Sequence, residues 1–434
     1  MDLLTFFAFL VRSSTDRVFD AVRIQIAGME MTPGALLNLA ILGLAAMMIV
    51  MRARPILSRP GSAFPFRVWL PYLLVAALSV VWSPDKPGAI RALLVLTTYA
   101  SFFAIPFFIR MPFRQTAQLL KAIIYSSIVP VAVGVLELAF FLNPSGRMQS
   151  TFVHPNGFAF YLMVVLGLIF FLLSSSAVQF TPTVRRLMIP YSGLLVGLLI
   201  MTQTRAAWAG TFVIITAYAI FIQRRYLIVV LFLPLLMFVP AVGDRLANLE
   251  QGTAYTGAMG SRADTMNSYA WRTLLWQSAI EDAADAPLFG KGLASFAPNS
   301  LKFFPVADTK KSYYRGGLGA HSAYVQTFYE TGVVGLFCYL AIYIGVFFRI
   351  LRYFKTDPRG AIMLASTVLA YMMVNFSDNI LDYGSINMYF WGLVAIVLAK
   401  WGQQRVYFYA SHSPAAYAHG VGGLRPSLHG VPGR

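Results

Sequence analysis

The sequence contains one cysteine, five histidines and only 17 acidic residues among 434. The single cysteine, Cys338, lies in an apolar run, so we expect neither a disulfide within the chain nor a cysteine-based metal site. Outside the C-terminal tail there are two histidines, which is too few for a usual transition-metal site. The chain also lacks a phosphate-binding loop, a dinucleotide fingerprint and a nucleotide-sugar motif. We therefore expect a protein that works without a metal and without a cofactor.

Long apolar stretches are what the sequence has in abundance. Hydrophobic residues make up 58% of the chain, and the mean hydropathy is +0.66. A helix needs roughly 20 apolar residues to cross a bilayer core of ~30 Å, and it satisfies its own backbone there. We predict an all-α polytopic membrane protein whose spans lie at about 35–51, 67–83, 91–110, 117–142, 156–174, 187–203, 206–222, 226–242, 322–348, 361–376 and 385–400.

The N-terminal stretch 1–28 is a candidate for a twelfth span, so the fold is expected to have about 11–12 transmembrane helices. Its opening apolar run is too short to cross a bilayer, and the rest of the stretch is interrupted by five charged residues: Arg12, Asp16, Arg17, Asp20 and Arg23. It is either an interfacial amphipathic helix or a short tilted span. We expect no cleaved signal peptide, because the basic n-region and the small-residue cleavage site are missing.

Basic residues are distributed unevenly between alternate loops. A net charge of +17 would suggest nucleic-acid binding in a soluble protein, but most of the surplus lies in short connecting loops. One set of loops holds Arg52, Arg54, Arg59, Arg67, Arg110, Arg114, Lys121, Arg185, Arg186, Arg224, Arg225, Arg349, Arg352, Lys355, Arg359, Lys400 and Arg405. The opposite set holds only Lys86, Arg147 and Arg205 among its short loops. The positive-inside rule places the first set in the cytoplasm, and no nucleic-acid partner is expected.

These patterns divide the chain into four regions. Residues 1–242 form the N-terminal membrane helices, 243–320 a long outer loop, 321–405 the C-terminal membrane helices, and 406–434 a disordered cytoplasmic tail rich in Gly, Pro, His and Ser. The outer loop is too long for a simple connector and too rich in Trp and Phe to be disordered. Within 267–283 apolar residues recur at helical spacing, namely Trp271, Leu274, Leu275 and Ala279. We predict an external helix that lies against the membrane.

Two arginines on the outer side are candidates for binding an anion. Arg205 lies at the end of a span beside small residues. The alternative to anion binding is that its side chain extends to the lipid–water boundary only to keep its charge hydrated. Arg272 lies between Trp271 and Trp276, and the alternative is an ordinary surface arginine. Two guanidinium groups can each bind phosphate oxygens through paired hydrogen bonds. Arg262 and Arg245 are weaker candidates.

The two histidines outside the tail both fall at outer membrane boundaries. His321 begins the span after the long loop, and a neutral imidazole can accept a proton from a hydroxyl group. Its alternative role is a helix-start residue bonded to backbone. For His154, in the run His154-Pro155-Asn156, the helix-entry role is favoured because proline suits the first turn of a helix.

Acidic and amide residues on the outer side are supporting candidates. Glu137 lies near the outer end of a span, where it could pair with one of the arginines. Asp378, Asn379 and Asp382 lie on the connector 377–384 and could line the same cavity. For each of them an ordinary loop or helix-end role is favoured. Two carboxylates could hold a divalent cation, but nothing in their spacing demands it.

Four segments, in order, resemble a known family. They are 151–157 (TFVHPNG), 204–208 (TRAAW), the stretch from 271–272 (WR) to 287–292 (PLFGKG), and the stretch from 321–322 (HS) to 330–335 (ETGVVG). Each is short, but their order and the position of the long outer loop resemble the bacterial O-antigen ligase and polymerase family, whose members use polyprenyl-diphosphate-linked glycans. The resemblance covers about 150–340 and is closest to the exopolysaccharide polymerases of this group.

The resemblance implies a metal-independent glycosyltransferase with a C-type-glycosyltransferase-like membrane fold in the bacterial inner membrane, with the long loop in the periplasm. It implies diphosphate binding by Arg205 and Arg272 and a catalytic role for His321. His154 and Asn156 carry over less securely, because the first motif varies in the family. The expected partners are a polyprenyl-diphosphate-linked glycan donor and acceptor, the lipid bilayer, and flippase and chain-length regulator proteins.

The expected reaction is the polymerisation of oligosaccharide repeat units into a surface polysaccharide or exopolysaccharide. One alternative is a ligase that transfers the glycan to lipid A core or another acceptor, since the sequence does not identify the acceptor. A second alternative, of another class, is a non-catalytic transporter of polysaccharide or lipid-linked glycan. Transporters tend to show repeated halves and charges at mid-membrane, whereas here the polar groups gather at the outer boundary.

Overall fold

The computed structural model describes residues 9–22, 24–26, 29–58, 61–109, 113–140, 146–175, 181–232, 243, 268–304 and 316–411. In this part of the chain the fold is all-α and polytopic, apart from one short antiparallel strand pair. The described residues contain eight segments that are long enough and apolar enough to cross a membrane, and one of them, Gln115–Ala139, consists of two shorter helices. The predicted fold class is therefore confirmed.

The elements correspond to the apolar runs of the sequence. The strand pair is β1 (Ile24–Ile26) and β2 (Met29–Met31). The helices are α1 (Asp16–Ala21), α2 (Pro33–Ser58), α3 (Phe64–Ser79), α4 (Lys86–Phe108), α5 (Phe113–Tyr125), α6 (Ile128–Ala139), α7 (Pro155–Ser174), α8 (Pro182–Met201), α9 (Arg205–Phe221), α10 (Leu227–Phe232), α11 (Ser268–Asp282), α12 (Phe296–Phe303), α13 (Ala323–Leu351), α14 (Pro358–Ser377) and α15 (Gly384–Ser411).

Several helices begin where the sequence supplies a cap. Asp85 and Asp357 each accept a hydrogen bond from a backbone N–H three residues later, at 3.0 Å in both cases, and a proline lies within the first turn. Ser322 caps α13 in the same way, through the N–H of Val325. Such caps satisfy backbone donors that a helix leaves unpaired at its start. They fix the positions at which these helices enter the membrane.

Helix α7 lies at the centre of the bundle. It packs against α5, α8, α9, α14 and α15, and its residues are buried almost throughout. A helix that is apolar on every face suits such a central position, because no side is left for water. The N-terminus of α7 therefore lies in the middle of the outer end of the bundle, where the site is found.

The predicted span 117–142 corresponds to the candidate span Gln115–Ala139, but its helix is interrupted and forms two shorter helices. The break falls at Ser126 and Ser127, between α5 and α6. Pro130 has no N–H to donate to the carbonyl four residues before it, which belongs to Ser126. That carbonyl instead accepts a hydrogen bond from the hydroxyl of Ser13, at 2.8 Å. Pro130 is therefore the feature of the sequence that predicts this interruption of the helix.

The other predicted spans correspond to described helices, with two qualifications. Helix α9 is shorter than the usual span, and α10 is described only as far as Phe232, so the rest of the span predicted at 226–242 lies outside the described residues. Helix α15 continues to Ser411, so the predicted start of the tail at residue 406 falls inside a helix. Residues 412–434 lie outside the described part of the chain.

Residues 9–16 pack largely inside one end of the bundle, whereas Arg17, Val18 and Ala21 are exposed. The ring of Phe9 lies against the ring of Tyr389, with 5.7 Å between centroids. The carbonyl of Ser13 accepts a hydrogen bond from the hydroxyl of Thr151, at 2.7 Å. Arg12 is buried and paired with Asp16 at 2.9 Å. These described residues therefore fit neither an interfacial helix nor a tilted span, while residues 1–8 lie outside the description.

Helix α13 is broken at Gly332, and the segment 287–292 fills the break. Gly332 has φ 68° and ψ −170°, a conformation that only glycine adopts readily. The carbonyls of Tyr329 and Glu330 accept hydrogen bonds from the N–H groups of Lys291 and Gly292, both at 2.9 Å. Beyond the break, the N–H of Val333 donates to the carbonyl of Pro287, also at 2.9 Å. The inserted segment thus replaces the helical hydrogen bonds that the break removes, as buried backbone requires.

Helix α11 confirms the helix predicted within 267–283, but its apolar face covers protein. Leu275 and Ala279 are fully buried, and they belong to a cluster with Phe296, Leu318 and Tyr329. This face packs against a small hydrophobic core within the loop. This core holds α11 above the break in α13. The position of the helix relative to the membrane stays a prediction.

Candidate functional site

Connectors predicted to lie on the outer side meet at one end of the bundle. Asn156, at the start of α7, donates a hydrogen bond through Nδ2 to Oδ2 of Asp378, at 2.5 Å. Arg272, on α11, donates through Nη1 to the backbone carbonyl of Ser377. These contacts join residues that are separated by more than a hundred positions in the chain. The start of α7, helix α11 and the end of α14 therefore meet in one polar cluster.

Asp378 is the centre of this cluster. Asp378 is 4% exposed. Its carboxylate accepts hydrogen bonds from Asn156 and, at 3.4 Å, from the hydroxyl of Tyr383. Nδ1 of His321 lies 3.7 Å from the other carboxylate oxygen. Burial alone would raise the pKa of this carboxyl group. The interactions with His321, Arg272 and Asn156 outweigh burial and hold the pKa of Asp378 below its ordinary value. Asp378 is therefore a buried negative charge at neutral pH.

His321 is held in an uncommon backbone conformation beside Asp378. Its φ of 49° is in the left-handed region, which few residues other than glycine adopt. The edge of the Trp271 ring meets the imidazole, with 5.7 Å between ring centroids. The side chain is 42% exposed, although its Nδ1 faces Asp378. A carboxylate on one ring nitrogen leaves the other nitrogen to accept a proton from a substrate.

Trp276 joins the helix that carries Arg272 to the segment that carries His321. Its Nε1 donates a hydrogen bond to the backbone carbonyl of Ala320, at 2.7 Å. Its ring also packs edge-on against Phe376, with 5.4 Å between centroids. Arg272 and Trp276 are four residues apart on α11, so they lie on the same face of the helix. One face of α11 thus carries Arg272 and, through Trp276, holds the segment that contains His321.

Arg205 is the first residue of α9 and joins the cluster through its neighbour Thr204. The hydroxyl of Thr204 donates to Oδ1 of Asn156, at 3.2 Å. The N-termini of α7, α9 and α13 all lie at this end of the bundle, and helix N-termini carry partial positive charge. Together with the guanidinium groups of Arg205 and Arg272, they make this end of the protein suitable for an anion.

A sequence model of the O-antigen ligase family matches residues 190–340. This stretch is similar to the O-antigen ligase domain. It contains Arg205, Arg272 and His321, whereas Asn156 and Asp378 lie outside the matched residues. None of the curated proteins matches the chain. The resemblance to the O-antigen ligase and polymerase family is confirmed over this stretch. The described helices fit a multi-pass membrane protein.

Arg147 is part of the same polar cluster, although the sequence alone marks it only as a loop charge. Its Nη2 donates to Oδ1 of Asn156 at 2.9 Å and to the hydroxyl of Thr204 at 3.3 Å. Its Nε donates to the carbonyl of Thr202, at 3.1 Å. Arg147 therefore ties the loop before α7 to the loop before α9. Like Arg205, Arg147 lies in one of the short loops predicted to be outside, and these loops contain few arginines. That placement could have marked Arg147 as a candidate site residue.

His154 has the helix-entry role that its sequence context favours. Its Nδ1 accepts a hydrogen bond from the backbone N–H of Asn156, at 3.1 Å, as the N-cap of α7. Burial and the positive charge of Arg147 lower its pKa. A ring nitrogen that accepts a hydrogen bond carries no proton, so the imidazole is neutral with its proton on Nε2. His154 can donate a hydrogen bond through Nε2.

The remaining candidates support loops around the polar cluster. Oε2 of Glu137 accepts a hydrogen bond from the N–H of Ser150, at 2.7 Å, and so holds the loop before α7. Asn379 donates to Oε1 of Gln326, at 2.8 Å. Arg262 and Arg245 lie outside the described residues. Within the described part of the chain, no group of three His, Cys, Asp or Glu side chains is placed to hold a metal. Metal independence stays a prediction.

Proposed function

We propose that the protein is a glycosyltransferase that polymerises polyprenyl-diphosphate-linked oligosaccharides at the outer face of the bacterial inner membrane. The observation that carries this proposal is the cluster in which the buried carboxylate of Asp378 faces His321 while Arg272 is anchored on the adjoining Ser377. The O-antigen ligase domain supplies the class of chemistry. The cluster supplies a base and a site for an anion next to each other.

The two arginines hold the diphosphate of the donor. An Arg guanidinium has five N–H donors, and Arg272 uses Nη1 to bind the carbonyl of Ser377, which orients its remaining donors. Arg205 and the positive ends of three helices add to the local charge. As the glycosidic bond to the diphosphate breaks, the electron pair leaves with the phosphate oxygen. Groups aimed at that developing charge contribute the largest share of the rate in many enzymes.

His321 acts on the acceptor. A hydroxyl group of the acceptor glycan attacks the anomeric carbon, and its proton passes to Nε2 of His321. Asp378 holds Nδ1 and stabilises the imidazolium that forms, as a buried carboxylate does in other histidine-dependent enzymes. One bond forms on the face opposite to the departing diphosphate, so the configuration of the anomeric carbon is inverted. The diphosphate is already a good leaving group, so this transfer does not need a nucleotide to activate the donor.

The proposal is tested by complementation of a deletion strain with Arg205→Ala, Arg272→Ala and His321→Ala, and by analysis of lipid-linked and released glycans together. We expect single repeat units to accumulate on the carrier in all three strains. Lys302→Ala is the matched control, because Lys302 is an exposed outer-loop cation that binds only the side chain of Asn299 among its described contacts. It should make normal polymer.

Two other results have clear meanings. Long polymer that remains on the lipid carrier would identify a ligase with the same chemistry, because only the last transfer would be lost. Normal polymer in all three mutants, at normal expression, would contradict glycosyl transfer at this site and favour a transporter.

A further inference from the structure

A cavity of 540 Å³ lies inside the bundle, on the inner side of the polar cluster. It is partly open, and it is lined by the N-terminal segment, by the starts of α2 and α15, by one side of α4 from Gly88 to Phe102, and by the first two turns of α13. Neither Arg205 nor Arg272 lines it. Cavities of this size, with a few polar groups among aromatic side chains, are typical of sites for small molecules or for parts of larger ones.

The lining does not suit a polyprenyl tail or a diphosphate. Charged side chains line the cavity, namely Arg12, Asp16, Arg91 and Asp382, and a hydrocarbon tail would bury their charges without compensation. Arg12 is already paired with Asp16. The charge of Arg91 is then balanced by the carboxylate of Asp382, so the lining has no excess of positive charge for an anion. A neutral ligand rich in hydroxyl groups fits better.

The lining does suit a sugar. Carboxylates and an amide accept hydrogen bonds from hydroxyl groups, and the cavity supplies Asp382 and Gln326. The faces of aromatic rings pack against the C–H faces of a sugar ring, and Tyr72, Tyr99 and Phe102 also line the cavity. Burial and the charge of Asp378 raise the pKa of Asp382 to about 6, so its carboxylate is an acceptor at pH 7.5.

The cavity opens towards the reaction centre at His154 and Tyr383. Both residues line it, and the hydroxyl of Tyr383 reaches Asp378 at 3.4 Å. His154 is exposed and presents its Nε2–H, because Nδ1 is taken by the cap of α7. A donor and the Asp382 acceptor therefore stand at the mouth of the cavity, next to the carboxylate that holds His321.

We propose that this cavity binds sugar residues of a glycan substrate and presents them to His321. His154 donates to a ring or hydroxyl oxygen of the sugar, and Asp382 accepts from a hydroxyl group. This inference rests on the proposed function, and it separates the recognition of the sugar, in the cavity, from the recognition of the diphosphate, at the arginines.

The test is equilibrium binding to the purified full chain in lipid nanodiscs at pH 7.5. Two probes are used: the oligosaccharide that mild acid releases from the lipid-linked glycan of the deletion strain, and polyprenyl diphosphate without sugar. The variants are Asp382→Asn and His154→Asn. Asparagine is a good N-cap residue, so the second variant keeps the start of α7 while it removes Nε2–H.

We expect each variant to weaken binding of the oligosaccharide about 10-fold, the usual effect of losing one hydrogen bond to a buried polar group. Binding of polyprenyl diphosphate should change less than about 2-fold, which also shows that the variants are folded. The control Asp285→Asn should leave both affinities unchanged, because Asp285 is exposed, pairs with Lys291 at 2.5 Å and lies outside the cavity.

Unchanged binding of the oligosaccharide in both variants would overturn the proposal. So would a wild-type protein that binds polyprenyl diphosphate but not the oligosaccharide. Failure of the proposed function would be detected separately. Cells that carry His321→Ala would then make normal polymer, and this result does not depend on the binding measurement.

Discussion

At the scale of single residues, Asp378 meets side chains from three other parts of the chain. Asn156 begins α7, His321 precedes α13, and Tyr383 precedes α15. A charge that is 4% exposed is costly unless several groups pair with it. Because these partners outweigh burial, the carboxyl group keeps a lowered pKa, stays ionised and can orient the imidazole of His321. Asp378 is therefore a positioning residue in the proposed reaction.

We predict that Asp378→Asn lowers kcat by about 100-fold, within the range that general acid–base catalysis contributes, and leaves KM for the lipid-linked donor almost unchanged. The amide keeps the size of the side chain but cannot stabilise an imidazolium. The measurement is polymer formation by the purified protein from lipid-linked repeat units. Asp285→Asn serves as the control, and a kcat within about 3-fold of wild type in Asp378→Asn would contradict the role assigned to the pair.

At the scale of elements, the broken helix α13 joins two stretches that are separate in the sequence. The segment 287–292 enters the break and forms backbone hydrogen bonds on both sides of Gly332. A β-carbon on Gly332 would stand 2.2 Å from the carbonyl oxygen of Leu288, and one on Gly290 would stand 2.5 Å from the backbone of Glu330. The close approach of two backbones explains why both positions are glycine.

We predict that Gly332→Ala lowers the free energy of unfolding by at least about 2 kcal/mol, because the conformation is strained for any side chain and the added carbon meets backbone. The measurement is the thermal unfolding midpoint of the purified protein in detergent. Gly193→Ala is the matched control: this glycine lies inside α8, and a β-carbon there meets nothing within 4 Å. The control should leave the midpoint unchanged or raise it, since alanine favours helix over glycine. Equal midpoints for Gly332→Ala and wild type would show that the break tolerates a side chain.

At the scale of the whole molecule, charge and function are separated between the two ends of the bundle. The end that holds Asp378, His321 and Arg272 is built from connectors that carry few basic residues. The opposite connectors carry most of the arginines of the chain, including Arg185 and Arg352. The positive-inside rule then predicts that the site faces away from the cytoplasm, towards the leaflet that holds an exported lipid-linked glycan.

We predict that a cysteine at position 302 reacts with a membrane-impermeant maleimide in intact spheroplasts, and that one at position 355 reacts only after the membrane is opened. Both Lys302→Cys and Lys355→Cys replace exposed lysines, and both are made in a Cys338→Ser background to remove the native thiol. Fluorescence of the labelled band gives the result. The reverse pattern would place the site in the cytoplasm and exclude the proposed use of an exported donor.

The sequence by itself determined the class of the protein, the approximate spans and the asymmetry of charge. A bilayer demands a fixed length of apolar helix and a bias of basic residues, and both are local properties of the chain. It also singled out Arg205, Arg272 and His321, because polar groups are rare where the chain meets the outer boundary. Their roles remain predictions.

Only the tertiary structure decided how these residues are held. The contact between Asn156 and Asp378 spans 222 positions, and no local pattern encodes it. The same is true of Arg147, of the docking of 287–292 into α13, and of the cavity beside His154. Each depends on which helix ends meet, and that is decided by the packing of all the helices around α7.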